Sequence, residues 1–234
     1  MGYTSYDFFY GDGFTNLLII VGFLIIIIAE IGVRGTYKKY KGVRTSNGMD
    51  GLDTAKKILD ANGLDIYVVK TPGELTDHYD SRGKVIRLSD DIYGKATIAS
   101  VAVAAHECGH ALQDKDDYIF LKIRTLLVPV VNLVNHFGYF LLLVCLIGGY
   151  FTYITVAIGI VFATLVFHII TLPVEFNASR RGLEQIEKLG ILSSKEMSGA
   201  KAMLRAAAFT YVAGALSSLL QLIRLFAIFN RDRD

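Results

Sequence analysis

The chain has 234 residues, 53% of them hydrophobic, with a mean hydropathy of +0.43 and 24 Lys and Arg against 22 Asp and Glu. Soluble domains carry about 45–50% apolar residues even with glycine counted, so this composition excludes an ordinary soluble protein and points to a bilayer. The net charge of +2 comes from basic residues beside apolar runs, with no basic stripe interleaved with aromatics, which excludes a nucleic-acid surface.

The first apolar run, 14–33, is long enough to span and lacks a basic leader region, so it reads as a retained anchor. No Lys or Arg precedes Arg34, whereas Arg34, Lys38, Lys39, Lys41 and Arg44 follow directly. The positive-inside rule then places the N-terminus outside and residues 34–124 in the cytoplasm. Leu52, Ala55, Ile58 and Leu59 have the spacing of an amphipathic helix over 51–61, stopped by Asn62-Gly63. A strand is predicted over 65–70, ended by Thr71-Pro72-Gly73. Residues 75–80 and 85–89 flank the turn signal Ser81-Arg82-Gly83-Lys84 and predict a β-hairpin. The edge of such a small sheet suits an extended peptide.

The alanine-rich run from residue 96 predicts a helix through Gln113, and it contains His106-Glu107-Cys108-Gly109-His110. On a helix, residues four apart share a face, so His106 and His110 can bind one zinc ion while Glu107 reaches a water activated there. Cys108 points away from that face, and reduced thiols fit a cytoplasmic domain. Asp114, Lys115, Asp116 and Asp117 read as a solvated loop.

Spans are predicted over 125–148 and 151–172, joined outside the membrane by Gly148 to Tyr150. Their polar positions, Asn132, Asn135, His136 and Tyr139 in one and Thr164, His168 and Thr171 in the other, are expected to face neighbouring helices. A catalytic zinc needs a third protein ligand. His136 and His168 lie inside spans and His78 in the hairpin, whereas Glu175 stands where the third span emerges on the cytoplasmic side. Glu175 is therefore expected as the ligand, with Pro173 at the helix boundary turning the following segment toward the site. A last apolar run, 206–223, spans or lies in the interface, with Gln221 and Arg224 near its end.

The segments HYDSRGKVIRLS, AAHECGHALQ and LPVEFNASRRG, spaced among these spans, resemble the bacterial membrane zinc metallopeptidases of the YugP family and, more distantly, HtpX-like gluzincin membrane proteases. The resemblance covers nearly the whole chain. It implies His106, His110 and Glu175 as zinc ligands and Glu107 as the catalytic acid/base. HtpX-like enzymes often carry an aspartate four residues after the ligand glutamate, where this chain has Ser179. An aspartate is also expected in close relatives where this chain has Asn177.

The expected architecture is a mainly α membrane protein of about four transmembrane helices with a small cytoplasmic α+β zincin-like domain. Its parts are a tail and anchor (1–33), a catalytic domain (34–124), a transmembrane hairpin (125–172), a cytoplasmic segment with the third ligand (173–205) and a C-terminal transmembrane or interfacial helix (206–234). The expected activity is zinc-dependent endopeptidase cleavage at a cytoplasm-facing site of the bacterial cell membrane, in membrane protein quality control or processing. One Zn2+ per chain, a peptide or membrane-protein substrate and the lipid bilayer are the expected partners, with no nucleic acid; no pattern specifies an oligomer. His78, Tyr79, Arg180 and Arg181 are candidates for stabilising an oxyanion or contacting substrate. The competing reading is a non-catalytic zinc-binding scaffold or adaptor. A structural zinc site usually closes with four ligands and has no use for a general base such as Glu107.

Overall fold

A computed structural model describes residues 13–147 and 153–231. The expected outer tail over residues 1–12 and the turn at Gly148 to Tyr150 lie outside the described residues. In chain order the elements are α1 (Gly13–Lys41), α2 (Gly51–Ala61), β1 (Tyr67–Thr71), β2 (His78–Asp80), β3 (Val85–Ser89), the single turn α3 (Asp90–Tyr93), α4 (Ile98–Lys115), α5 (Ile119–Ile147), α6 (Tyr153–Lys188) and α7 (Ser194–Arg231).

Four of these helices, α1, α5, α6 and α7, are long and apolar enough to cross a membrane. The chain divides into two compact units, one comprising residues 1–30, 123–172 and 210–234, the other residues 31–122 and 173–209. In the first unit large apolar side chains point outward, Phe23, Ile28, Phe137 and Phe140 each more than 60% exposed. That is a lipid-facing surface rather than a solvated one. Its two histidines find partners within a helix or between helices, whereas the buried Thr171 hydroxyl has none among the described residues. His168 Nδ1 lies 3.1 Å from Ser218 Oγ, and the imidazole of His136 bonds the Asn132 carbonyl one turn back at 3.0 Å.

The second unit is built inside out by comparison, around Ile58, Ile86, Leu88, Ile92, Val101, Ile186 and Ile191, all fully buried. Its sheet has the order β1-β3-β2, with β1 parallel to β3 and β2 antiparallel to it, Tyr79 opposite Ile86. Only β3 has partners on both sides, and four of its five side chains are buried. Asp77 closes the approach to the hairpin by accepting from the Ser89 amide at 2.7 Å and its hydroxyl at 3.1 Å. The Asp50 carboxylate caps α2 through the Asp53 amide, and the Thr97 hydroxyl caps α4 through the Ser100 amide. Ser193 and Glu196 bond each other's main chain at the start of α7, a capping box.

Several elements differ from expectation. Strand β2 begins at His78 rather than residue 75, because Leu75 sits at φ 58, outside extended geometry. Pro173 ends nothing: α6 runs through it to Lys188, and the segment bearing Glu175 is a continuation of the apolar helix, not a turned one. The loop expected at residues 114–117 is half helix, with each side chain engaged. Asp114 accepts from Tyr79 and Lys84, Lys115 donates to the Asn62 carbonyl, Asp116 pairs with Arg181 and Asp117 with Lys122. α7 likewise starts at Ser194, well before residue 206, so the basic stretch before the last apolar run is helical.

Candidate metal centre

Two helices of the second unit, α4 and the end of α6, meet with almost no side chain between them. A Cβ on Gly109 would collide with the Ala178 carbonyl oxygen, and one on Gly182 would lie 2.5 Å from the Ala105 carbonyl oxygen. The contact is reciprocal, Ala105 and Gly109 on α4 against Ala178 and Gly182 on α6, each pair four residues apart and so on one face. Close backbone approach is what allows the short side chains of one helix to reach those of the other. Beside the glycines, His106, His110 and Gln113 form a stripe on α4, and Glu175 and Ser179 a stripe on α6.

The stripes converge on a cluster of three donors. His106 Nε2 lies 3.2 Å from Glu175 Oε2, and His110 Nε2 lies 3.7 Å from the same oxygen. Three atoms held tetrahedrally at about 2.0–2.1 Å from one zinc ion are spaced by roughly 3.4 Å, so the two separations from Glu175 fit one ion, and all three donor atoms lie within 4.8 Å of one another. His110 and Glu175 are buried and His106 is mostly so.

Hydrogen bonds on the far side of the imidazoles decide which nitrogen faces the cluster. Arg181 Nε, which can only donate, binds Asn177 Oδ1 at 2.8 Å. That oxygen also accepts from Gln113 Nε2 at 3.0 Å, and the same amide group donates to the Val174 carbonyl at 2.8 Å. Gln113 Oε1 is then left to accept from His110 Nδ1 at 3.0 Å. In a neutral imidazole this puts the proton on Nδ1 and a lone pair on Nε2. A lone pair aimed at a carboxylate oxygen in a buried site is repulsive unless a cation lies between them, so the donor set fits a divalent metal. His106 is oriented more simply, Nδ1 lying 3.1 Å from Ser179 Oγ.

Glu107 occupies the adjoining position. Burial pushes its carboxyl up to about 7; the nearby Glu175 carboxylate adds to the rise, while His106 and an N–H bond from the Tyr79 main chain oppose it. Cys108 faces the other way, its thiol donating to the Ala55 carbonyl at 3.7 Å, and burial raises its pKa far above the ordinary thiol range.

The four remaining sequence candidates are placed as follows. Tyr79 reaches the site through its main chain, because its hydroxyl donates to Asp114 at 2.6 Å. His78 is exposed, with Nδ1 2.8 Å from the Thr76 carbonyl. Arg180 pairs with Glu184 one turn on, and Arg181 serves the Asn177 relay together with Asp116 and the Leu112 carbonyl. Sequence reasoning passed over Gln113 and read Ser179 and Asn177 only as departures from an aspartate. In three dimensions these residues do the orienting that an aspartate would otherwise do.

The family described as "Putative neutral zinc metallopeptidase" matches residues 15–230. The chain is 41% identical over 221 residues to a Bacillus subtilis (strain 168) protein named "Putative membrane protease YugP", covering 91% of this chain and 98% of the relative. No solved structure matches the chain. A match over nearly the full length, together with a histidine-histidine-glutamate cluster suited to one metal ion, identifies the chain as a member of this zinc metallopeptidase family.

Proposed function

We propose that this chain is a membrane-integrated zinc endopeptidase of the gluzincin type, with His106, His110 and Glu175 as ligands and Glu107 as acid/base. The observation that carries this reading is the buried cluster of His106, His110 and Glu175, with His110 Nδ1 held at Gln113 Oε1 and its Nε2 3.7 Å from Glu175 Oε2, beside a Glu107 carboxyl that burial raises to about 7. Zinc, when bound, supplies Lewis-acid polarisation of water and of the scissile carbonyl. Glu107 takes the proton from the attacking water onto its carboxylate and delivers it to the leaving amine nitrogen. A pKa near the working pH suits a group that must do both. Strand β2 is a sheet edge whose Tyr79 amide points at Glu107, so a peptide lying along that edge passes over the base. Peptides or extended segments of membrane proteins are the substrates this geometry favours, as in processing or quality control.

Purified protein should hold about one zinc per chain. Glu107→Gln should keep the zinc and lose about 10² to 10⁴ in peptide hydrolysis rate, read by metal analysis beside a cleavage assay. Undiminished cleavage by that variant would sink the mechanism, and zinc without cleavage in the wild type would favour a scaffold. The basic cluster from Arg34 to Arg44 supports a cytoplasmic site. A cysteine replacing exposed Lys57 should therefore resist a membrane-impermeant thiol reagent in whole cells and react once they are broken. Immediate labelling would reverse the orientation.

A further inference from the structure

Strand β2 is the sheet edge beside Glu107, and it has little of its own to hold it there. It is three residues long and pairs only with β3, a ladder too short to fix a strand by itself. The Tyr79 N–H faces the Glu107 carboxylate. In an antiparallel pair, a residue whose N–H turns away from the partner strand turns its carbonyl away as well, so the Tyr79 carbonyl also lies on the open edge. These are the two main-chain groups that a peptide strand added there would meet.

What fixes them is a carboxylate on α4. Asp114 Oδ2, in the last turn of that helix, accepts from the Tyr79 hydroxyl and from Lys84 Nζ, each at 2.6 Å. The two donors flank the hairpin turn, so one oxygen grips both ends of the connection. Burial, with the Asp114 bond added to it, holds the Tyr79 hydroxyl above the ordinary phenol range, and it stays a donor at any working pH. The turn itself is stiffened from within: Asp80 Oδ1 accepts from the Arg82 and Gly83 amides, both at 3.0 Å, and Lys84 is held at φ 48 in the left-handed region. A hairpin stiff at its turn and tied on both sides of it moves as one body with α4, the helix that carries Glu107. We propose, on the peptidase reading above, that Asp114 and Tyr79 are positioning residues for substrate: their bond sets the open edge of β2 against Glu107, and with it the place where an extended peptide crosses the base. Neither side chain touches a reacting atom.

The test is steady-state cleavage of an internally quenched decapeptide, selected for turnover by the wild type, with the full chain in nanodiscs. Loss of a hydrogen bond to a charged group should weaken substrate binding about tenfold in Asp114→Ala and several-fold in Tyr79→Phe, which removes a single oxygen. Both losses should fall on KM, with kcat and zinc content within about twofold of the wild type, because the ligands and the base are untouched. Asp114→Asn keeps an oxygen for the Tyr79 hydroxyl and should recover part of the loss. Asp117→Asn, in the same acidic run but paired with Lys122, should match the wild type. Wild-type KM in both Asp114→Ala and Tyr79→Phe would overturn the positioning role and leave the peptidase reading standing; Tyr79→Phe decides alone if Asp114→Ala fails to fold. A fall in kcat or in zinc content at unchanged KM would assign the pair to the fold of the centre and overturn the role as well. A wild type that holds zinc but turns over no peptide would remove the peptidase reading, and this role with it.

Discussion

The two helices that meet at the metal centre contribute to it in different ways. α4 gives two of the three proposed ligands and the proposed base within five consecutive residues, a local arrangement guaranteed by helical periodicity alone. α6 gives the third proposed ligand, and its other contributions, Val174, Asn177, Ser179, Arg181 and Gly182, act by holding or admitting parts of α4. Chemistry is concentrated on one helix and fit on the other. Mutations in α6 far from any reacting atom should therefore damage the site as severely as mutations of the ligands.

The largest effect should come from separating the helices. Gly182→Leu puts four carbons where even a Cβ lies 2.5 Å from the Ala105 oxygen, and the backbone must move. Zinc content should fall to near zero although all three ligands remain, as metal analysis of the detergent-purified variant would show. Full occupancy would mean that the approach of α6 is not what positions Glu175.

Next in size is a test of α4 alone. In the metal-free protein the Glu107 pKa is raised, so its contribution to stability is present below the ordinary carboxylate range and is lost as pH rises through about 7. Glu107→Gln cannot ionise and lacks that loss. The stability difference between the metal-free variant and wild type should therefore grow in the variant's favour from pH 4.5 to 8, by about 3 kcal/mol at most. Denaturant unfolding of both proteins in chelator across that range would measure it, and parallel pH profiles would refute it.

The smallest effects separate the two imidazoles. Gln113→Leu removes the acceptor that orients the buried His110 and one of the two donors to the Asn177 oxygen, which should cost about 10–100-fold in zinc affinity. Ser179→Ala should stay at or below the low end of that range, because His106 is 16% exposed at its side chain and water can replace the hydroxyl. Competition with a chelator of known affinity would rank them. The reverse order would show that His106, not His110, is the constrained ligand.

What was legible in the sequence follows the same division. His106, Glu107 and His110 declare themselves by spacing, and α2 and β3 fall at their expected boundaries because each has a clean period and a flanking turn signal. Glu175 could be singled out from its place after an apolar run, a reading that depends on the order of segments rather than on any contact. Pro173 misled because a proline costs a helix one hydrogen bond without obliging it to stop. Leu75 misled because its φ is invisible in an alternating pattern. Asn177 and Ser179 had no local signature, since each acts on a residue more than 60 positions away, whereas Gln113 stands three residues after His110 on one helix face and was passed over because nothing in that spacing says which of its neighbours it serves. The pairs Ala105 with Gly109 and Ala178 with Gly182 were the available clue, small residues four apart on two helices.

That clue sharpens how relatives should be recognised in newly sequenced genomes. A bare H-E-x-x-H string occurs by chance on many helices, but here the fourth letter has no freedom, since any side chain on Gly109 meets the Ala178 carbonyl. The discriminating signature of this architecture is H-E-x-G-H followed downstream by a glutamate with glycine seven places beyond it, as Glu175 and Gly182 stand here. A chain that matches the first string without the second has the reagents of the reaction but no helix able to come close enough to complete them.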